Sequence, residues 1–436
     1  MKFSIDTLGC KVNHSESDFI ARELLKRRLE PVSWRDRPDF CIINTCTVTS
    51  QSDRKTRQLI RKIKTKNKSS MIIVTGCFNV YNREFLDSQK VDLIISNKDK
   101  NRIVELIAEE ADIIEDLNDV KPVDTIWPTC LHSRPMVKIQ DGCQQKCSYC
   151  IVPKVRGKYR STPCNKILRE VKDFQRDGFE EVVLTGVNIG KYGIDLGSSR
   201  SDNMGKITSL AGLLKKIIAE TEIRRIRISS IEINDVNSSL ISVLEKNGSR
   251  FTHHLHIPLQ SGSDRILGLM KRPYNVQYYL KKIRAIRRVF PDIAFTTDVM
   301  VGFPGESNSD FMQTVEMVRE VNFSKVHVFK FSKRTGTQAY LFGGQLSEEV
   351  KSERSKILRD IGKRSRDDRI KGNIGKSLSV VCEKVEDEDS IISGTSEDYI
   401  KVYFSKGKKD FSLLRGKIVK IIAAYKYRNG LWGVLG

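Results

Sequence analysis

With 436 residues, the chain has room for two to four domains at roughly 100–200 residues each, which excludes a single small module. Hydrophobic residues make up 39% and charged residues 30%, values that permit a large buried core and exclude wholesale disorder. Against 54 Asp and Glu stand 76 Lys and Arg, a formal net charge of +22, so a polyanion is the partner to expect. No apolar stretch reaches the ~18 residues of a membrane span, and the opening MKFSIDTLGCK lacks the apolar centre of a secretory signal. No membrane partner and a cytoplasmic location are therefore expected. Ten cysteines in that reducing compartment point to metal ligation or catalysis rather than to a disulfide framework.

From Met1 to about Asp112, short apolar runs alternate with helical stretches, the pattern of a parallel sheet flanked by helices. Strands are predicted at 2–7, 40–44, 71–75 and 91–95, with helices from Glu16, from Asp53 and after Asp99. The class is α/β, opening on a flavodoxin-like or Rossmann-like layer. Pro122, Pro128 and Pro135 punctuate 113–135, which reads as a linker. From Val137 to about Ser332 six strand candidates follow: VKIQDG, EVVLTGVNI, RIRISSIEI, HHLHIPLQ, AFTTDVMVGF and KVHVFKFS. Six βα units in succession predict a barrel of parallel strands, complete or open. A charged helix is expected over 347–371, its LSEEV start read as a Ser-x-x-Glu capping box. Beyond residue 374 the runs SLSVVC, YIKVYF, KIVKIIAAY and LWGVL predict a small all-β barrel. The expected modules are 1–113, 129–367 and 370–436.

The loop DGCQQKCSYC, directly after the first barrel strand, carries Cys143, Cys147 and Cys150 as Cys-x3-Cys-x2-Cys. One loop can thus present three thiolates to one metal centre. A structural zinc would want a fourth Cys or His at finger-like spacing, and His14 and His132 are remote in the chain. A four-iron, four-sulfur cluster on three thiolates instead keeps one iron open to a substrate or cofactor group. The polar neighbours Asp141, Gln144, Gln145, Lys146 and Ser148 speak against three packed core cysteines. A second set stands at or just past the carboxyl ends of predicted parallel strands, where open α/β sheets place ligands: Cys10 in TLGCKVN, Cys46 in NTCTV and Cys77 in VTGCF. If those strands are neighbours, three thiolates converge on one rim, and Gly9 and Gly76 let the backbone approach it; core packing is the alternative. Cys41 reads as core, while Cys130, Cys164 and Cys382 have no evident partner.

The cysteine loop after a strand, with a barrel to follow, resembles the radical S-adenosylmethionine superfamily. Over essentially the whole chain, TLGCKVNHSES, QDGCQQKCSYCIVPKVRGKYRS, LTGVNIGKYG, HIPLQSGSDRIL and VGFPGE are similar to blocks of the tRNA methylthiotransferases. The tail resembles their TRAM domain, an OB-like RNA-binding barrel, and the centre their partial (βα)6 barrel. TLGCKVN and VNIGKYG most resemble the branch acting on N6-threonylcarbamoyladenosine at position 37, beside the anticodon. Sister branches act on isopentenyladenosine and on an aspartate of a ribosomal protein. The resemblance implies a transferase with two 4Fe–4S clusters: Cys10, Cys46 and Cys77 hold the one carrying the sulfur to be donated, and Cys143, Cys147 and Cys150 hold the catalytic one that cleaves S-adenosylmethionine. Two molecules of S-adenosylmethionine per turnover are implied, one methylating the sulfur and one giving the 5′-deoxyadenosyl radical that takes hydrogen from adenine C2. Implied partners are the tRNA anticodon stem-loop, an external electron donor and a sulfur source. A non-catalytic iron–sulfur protein that binds RNA or senses redox state would hold iron yet form no 5′-deoxyadenosine.

Polar groups fall at the carboxyl ends of barrel strands, where such folds build their sites. Gly186 and Asn188 in LTGVN stand where the superfamily has a small-residue turn meeting the methionyl amine, although its usual acidic residue is absent. Glu232 in SSIEI, Gln260 in PLQSG, Asp298 in TTDVM and the loop from Gly302 to Glu306 are further candidates for holding cofactor or adenosine. Arg156, Lys158, Arg160, Lys191, Lys330 and Arg334 are candidates for reading the threonylcarbamoyl group. His253, His254 and His256 are expected to pack and hydrogen-bond rather than bind metal, because no carboxylate lies at metal-site spacing. Between Arg54 and Lys68 eight of fifteen residues are basic and none is acidic, with Ile60 and Ile63 as an apolar stripe, so one helix could offer phosphates a basic face. Tyr399, Tyr403 and Phe404, among Lys401, Lys406 and Lys408, either stack bases on the barrel or belong to its core.

Overall fold

The computed structural model describes residues 1–110, 132–196, 207–386, 390–407 and 410–436. Most of the expected linker, with Pro122, Pro128 and Cys130, lies outside these residues, as does Lys408. The chain packs as two units: Met1–His132 with Asp141–Gln144 and Ile151–Lys158, and Ser133–Gln140 with Gln145–Cys150 and Tyr159–Gly436. No helix among the described residues is long and apolar enough to cross a membrane.

In the first unit, aliphatic runs form β1 (Lys2–Thr7), β2 (Glu30–Pro31), β3 (Phe40–Thr45), β4 (Met71–Gly76) and β5 (Leu93–Ile95). They pair in parallel in the order β2-β1-β3-β4-β5. This is the flavodoxin-like order, in which the topology switches between β1 and β3. The helices are α1 (Lys11–Lys26), α2 (Ser50–Lys66), α3 (Arg83–Ser88), α4 (Ile103–Glu110) and, from the later segment, α5 (Val152–Arg156). Helix α1 starts five residues before the expected Glu16, because Cys10 in extended conformation already takes the N-cap position. Strand alternation sends Ile42 and Ile73 against Ile20, Leu24, Ile103 and Ile107 on one face. On the other, Cys41, Ile43, Ile72 and Val74 meet Ile60 and Ile63 of α2. Both α2 isoleucines are fully buried, worth roughly 2 kcal/mol each, so the basic residues of α2 are left outward.

In the second unit all six expected barrel strands form, as β6 (Met136–Asp141), β8 (Glu181–Gly186), β9 (Arg225–Ile228), β10 (His254–His256), β11 (Ala294–Val301) and β12 (Lys325–Lys330), with a short β7 (Arg160–Ser161) beside β6. Among the described residues, only isolated bridges, Ile226 to Phe251 and Ser230 to His256, link β9 to the β10 side, so the barrel is partial. The last long helix, α6 (Glu348–Lys371), is capped by Ser347, whose side chain accepts from Val350 N. The expected capping box is absent there, because the third helical residue is Val350 and offers no carboxylate. The reciprocal box instead opens the helix Asn308–Val321, between Ser307 and Asp310.

The tail closes as a five-stranded barrel, β13 (Ser377–Val385), β14 (Ile391–Ser396), β15 (Lys401–Ser405), β16 (Ile418–Tyr427) and β17 (Gly430–Leu435), in the order β13-β14-β15-β17-β16. Strand β14, IISGTS, escaped the sequence reading because Ser, Gly and Thr dilute its alternation. Phe404 lies in the barrel core with Val380, Ile392 and Ile421, and Tyr403 is also buried. Neither is placed to stack on a base. Tyr399 instead lies flat on His254, 4.7 Å away, with Arg227 over its ring, pinning the tail to the partial barrel. Cys382 joins Cys41 as a core cysteine.

Candidate functional site

The register aligns Thr7 with Asn44, Asn44 with Thr75, and Thr45 with Gly76. Cys46 and Cys77 therefore follow directly from adjacent strand ends, and Cys10 stands three residues beyond β1. The three strands are neighbours, and the thiols sense one another: burial pushes Cys46 up to about 11, with the nearby Cys77 and Cys10 adding to the rise. Burial also raises Cys77, against the pull of the Arg156 and Lys100 cations. Glycines keep the rim clear: a Cβ on Gly9 would come 2.9 Å from Cys46 Cβ, and one on Gly76 2.2 Å from Thr45 O. Both have positive φ, +125° and +111°, which a side chain would strain. Three thiols around a backbone cradle are the donor set a cluster asks for.

Polar residues that the sequence reading missed support this rim. Asn13 Nδ2 donates to Leu8 O at 3.0 Å and to Thr45 O at 2.9 Å, and its Oδ1 accepts from Cys10 Sγ at 3.5 Å. Asn97 Nδ2 donates to Val155 O at 3.0 Å and lies 3.7 Å from Cys77 Sγ. Glu16 pairs with Lys100 and, at 2.9 Å, with Arg156. The available signal was in α1: Asn13, Glu16 and Ser17 occupy its buried face, where an amphipathic helix normally places apolar residues.

Each part of the cysteine loop is held within its own unit. In the first, Cys143 N donates to Gly157 O at 2.9 Å. In the second, Arg272 Nη1 donates to Cys147 Sγ at 3.4 Å and Nε to Tyr274 Oη at 3.2 Å, while Nη2 grips the Glu232 carboxylate. Glu232 is therefore tied to a buried arginine that sequence reading also missed. Asn188 N donates to Gln140 Oε1 at 2.7 Å. Its Oδ1 is buried with no hydrogen-bond partner among the described residues, an acceptor that a cofactor amine would satisfy. Gly186 pairs in register with Gln140.

Further along the strand ends, Gln260 takes a left-handed conformation, φ +65°, and its N donates to Asp298 O at 2.9 Å. The Asp298 carboxylate lies 3.2 Å from His256 Nε2, and His256 Nδ1 lies 2.9 Å from Thr296 Oγ1. A carboxylate thus does stand beside His256, because it comes from the neighbouring strand, while His254 and His256 pack and hydrogen-bond as expected. Gly302 N is taken by Glu306 Oε2 at 2.8 Å, and Glu306 pairs with Arg354. Of the basic candidates, Arg156 is buried among Glu16, Asp141 and Asn13, Lys191 pairs with Asp235 at 2.7 Å, and Lys330 donates to Ser352 at 2.8 Å. Lys158 and Arg160 are exposed and Arg334 half-buried.

Among the described residues, α2 and the tail barrel each offer a basic surface. On α2, Arg54, Lys55, Arg61, Lys62 and Lys66 are exposed, while Arg57 donates to Asn82 at 2.6 Å and stacks over Phe85. On the tail barrel, Tyr425 and Trp432 form a stacked cross-strand pair, flanked by exposed Lys420, Lys426 and Arg428. This pair, rather than Tyr403 and Phe404, is the aromatic platform on the barrel surface.

Residues 137–318 match the Radical SAM superfamily, and residues 2–96 match the uncharacterized protein family UPF0004. In fold the chain is similar to the radical S-adenosylmethionine methyltransferase TsrM from Kitasatospora setae, with a TM-score of 0.53 over 76% of this chain and 74% of that one at 12% identity. Fold and cysteine loop define a radical S-adenosylmethionine enzyme, a class built on a 4Fe–4S cluster and S-adenosylmethionine. The sequence is 33% identical to the threonylcarbamoyladenosine tRNA methylthiotransferase MtaB of Bacillus subtilis, over 97% of this chain and 94% of that one. To the protein of the same name from Thermotoga maritima it is 36% identical, over 92% and 90%. The chain belongs to the tRNA methylthiotransferase family.

Proposed function

We propose that this transferase converts N6-threonylcarbamoyladenosine at position 37 of tRNA to its 2-methylthio derivative. The observation that carries the reading is the meeting of Cys10, Cys46 and Cys77 at the carboxyl edge of three neighbouring strands, in a chain whose centre is a radical S-adenosylmethionine core. These thiols would hold a second 4Fe–4S cluster, bearing the sulfur, and Cys143, Cys147 and Cys150 the catalytic one. When bound, the catalytic cluster supplies the electron that divides S-adenosylmethionine into methionine and a 5′-deoxyadenosyl radical. A second S-adenosylmethionine supplies the methyl group.

The chain's own residues prepare the chemistry. Asn188 offers its unpartnered Oδ1 to the methionyl ammonium, in a turn that Gln140 holds in place. Arg272 steadies Cys147 and Glu232 together. Asp298, oriented by His256, and Gln260 present polar groups at the strand ends to the nucleoside. The basic face of α2 suits phosphates and the Tyr425–Trp432 pair suits a stacked base. Modules 1–113, 129–367 and 370–436 would divide sulfur donation, radical chemistry and RNA binding. The reaction draws on an external electron donor and a sulfur source, in the cytoplasm.

The test is mass spectrometry of tRNA nucleosides from cells with and without the gene. The 2-methylthio form of threonylcarbamoyladenosine is expected to vanish while its precursor accumulates. Selective loss of the methylthio form of isopentenyladenosine would overturn the assignment.

A further inference from the structure

Arg156 ends α5, six residues past Cys150, and is only 4% exposed. A guanidinium buried this deeply is costly unless its donors find acceptors, so its partners define its role. Nη2 donates to Asn13 Oδ1 at 2.7 Å, and Nη1 donates to Glu16 at 2.9 Å and to Asp141 at 3.0 Å. On one side, Asn13 ties the backbone before Cys10, at Leu8 O, to the backbone before Cys46, at Thr45 O. On the other, Asp141 also accepts from Gly142 N at 2.7 Å, and Gly157, next to Arg156, accepts from Cys143 N. Lys100 completes the set by bonding Glu16 and, at 3.0 Å, Asn44. Two cations face two carboxylates, so the network is balanced and acts through fixed hydrogen bonds rather than net charge.

We propose that Arg156 is a positioning residue shared by two metal seats, holding Cys10 and Cys46 through Asn13 and holding Cys143 through Asp141 and Gly157. Occupancy of the N-terminal cluster and the electronic environment of the catalytic one then both depend on this side chain. The inference rests on the reading of Cys10, Cys46 and Cys77 as cluster ligands. Groups that hold metal ligands in place are typically worth on the order of 10–100-fold in metal affinity. Lysine cannot substitute fully, because only a planar fork reaches Asn13, Glu16 and Asp141 together.

The full chain is reconstituted anaerobically with iron and sulfide as wild type, as Arg156→Ala, Arg156→Lys and Asp141→Asn, and with Cys10, Cys46 and Cys77 all replaced by Ala. Iron and sulfide per chain, EPR spectra of the reduced clusters and their midpoint potentials are measured. Arg156→Ala is expected to lose most of the iron that the triple variant loses, and to shift the spectrum and potential of the cluster that stays. Arg156→Lys should be intermediate in both respects, and Asp141→Asn should shift only the catalytic cluster's signal. If Arg156→Ala does not fold, the two conservative variants carry the test. Wild-type iron content, spectra and potentials in both of them would overturn the role of Arg156. Equal iron in wild type and the triple variant would overturn the N-terminal cluster itself, and Arg156's shared role with it.

Discussion

At Arg272 one guanidinium serves a cysteine, a carboxylate and a phenol, and its side chain is 3% exposed against 16% for Glu232. Arg272→Met would leave the Glu232 carboxyl, whose pKa burial already raises, without its counter-charge and Cys147 without its donor. Breaking such a pair from one side costs roughly 3–5 kcal/mol. Denaturant unfolding of the metal-free chain is expected to show a loss of that size, and reconstituted protein to form less 5′-deoxyadenosine. Glu232→Gln keeps an acceptor for Arg272 and should lose less of both. A melting curve for Arg272→Met that overlays the wild type would show that the pair contributes nothing. At this scale the six cysteines were legible, because each stands at a strand end or in a tight motif. Arg272 was not, since its partners Cys147 and Glu232 are 125 and 40 positions away.

Among the elements, α2 is the clearest case of local sequence deciding orientation. Ile60 and Ile63, with the partly buried Leu59, are the apolar residues available to bury, and once they face the sheet the helix must turn Arg61, Lys62 and Lys66 to solvent. If this face tracks tRNA phosphates, replacing Arg61 and Lys62 by Gln removes two contacts. The slope of log affinity against log salt should then fall by roughly 1.4–1.8, while 5′-deoxyadenosine formation without tRNA is unchanged. Filter binding across a salt series reads the slope, and an unaltered slope would make α2 an ordinary solvated helix. The tail barrel shows the converse. Aromatic spacing around Tyr403 was consistent with either face, and only closure of five strands determined that Phe404 points into the core, while Tyr403 is covered on the opposite face beside Tyr427, and Tyr425 and Trp432 remain on the surface.

At the scale of the second unit, Glu181 joins the partial barrel to the tail. It is fully buried, paired with Arg225 and Arg227, whose other nitrogens donate to Ser379 O at 2.7 Å and Ser396 O at 2.9 Å in the tail barrel. Burial alone would raise its pKa, but Arg227, Arg225 and Arg134 together hold it at about 2, below the ordinary 4.5. The charged form is thus favoured by folding. Its contribution is fully present above the unfolded value and is lost as pH falls from about 4.5 toward 2, amounting to about 3 kcal/mol. Glu181→Gln is expected to be less stable than wild type at pH 7, the two converging as pH approaches 2. Urea unfolding over that range checks it, and a difference that persists undiminished at low pH would refute the linkage.

By itself the sequence determined the class of chemistry, the parallel strands and the placement of two sets of three cysteines at strand ends and in one loop, because strand alternation and cysteine spacing are short-range and survive without knowledge of the fold. Only the tertiary structure decided what surrounds them. Arg156 meets Asn13 across 143 positions and Glu16 meets Lys100 across 84, and Asp298 reaches His256 from the adjacent strand. Buried charges must find partners wherever the chain brings them, and no local pattern marks which distant residue that will be.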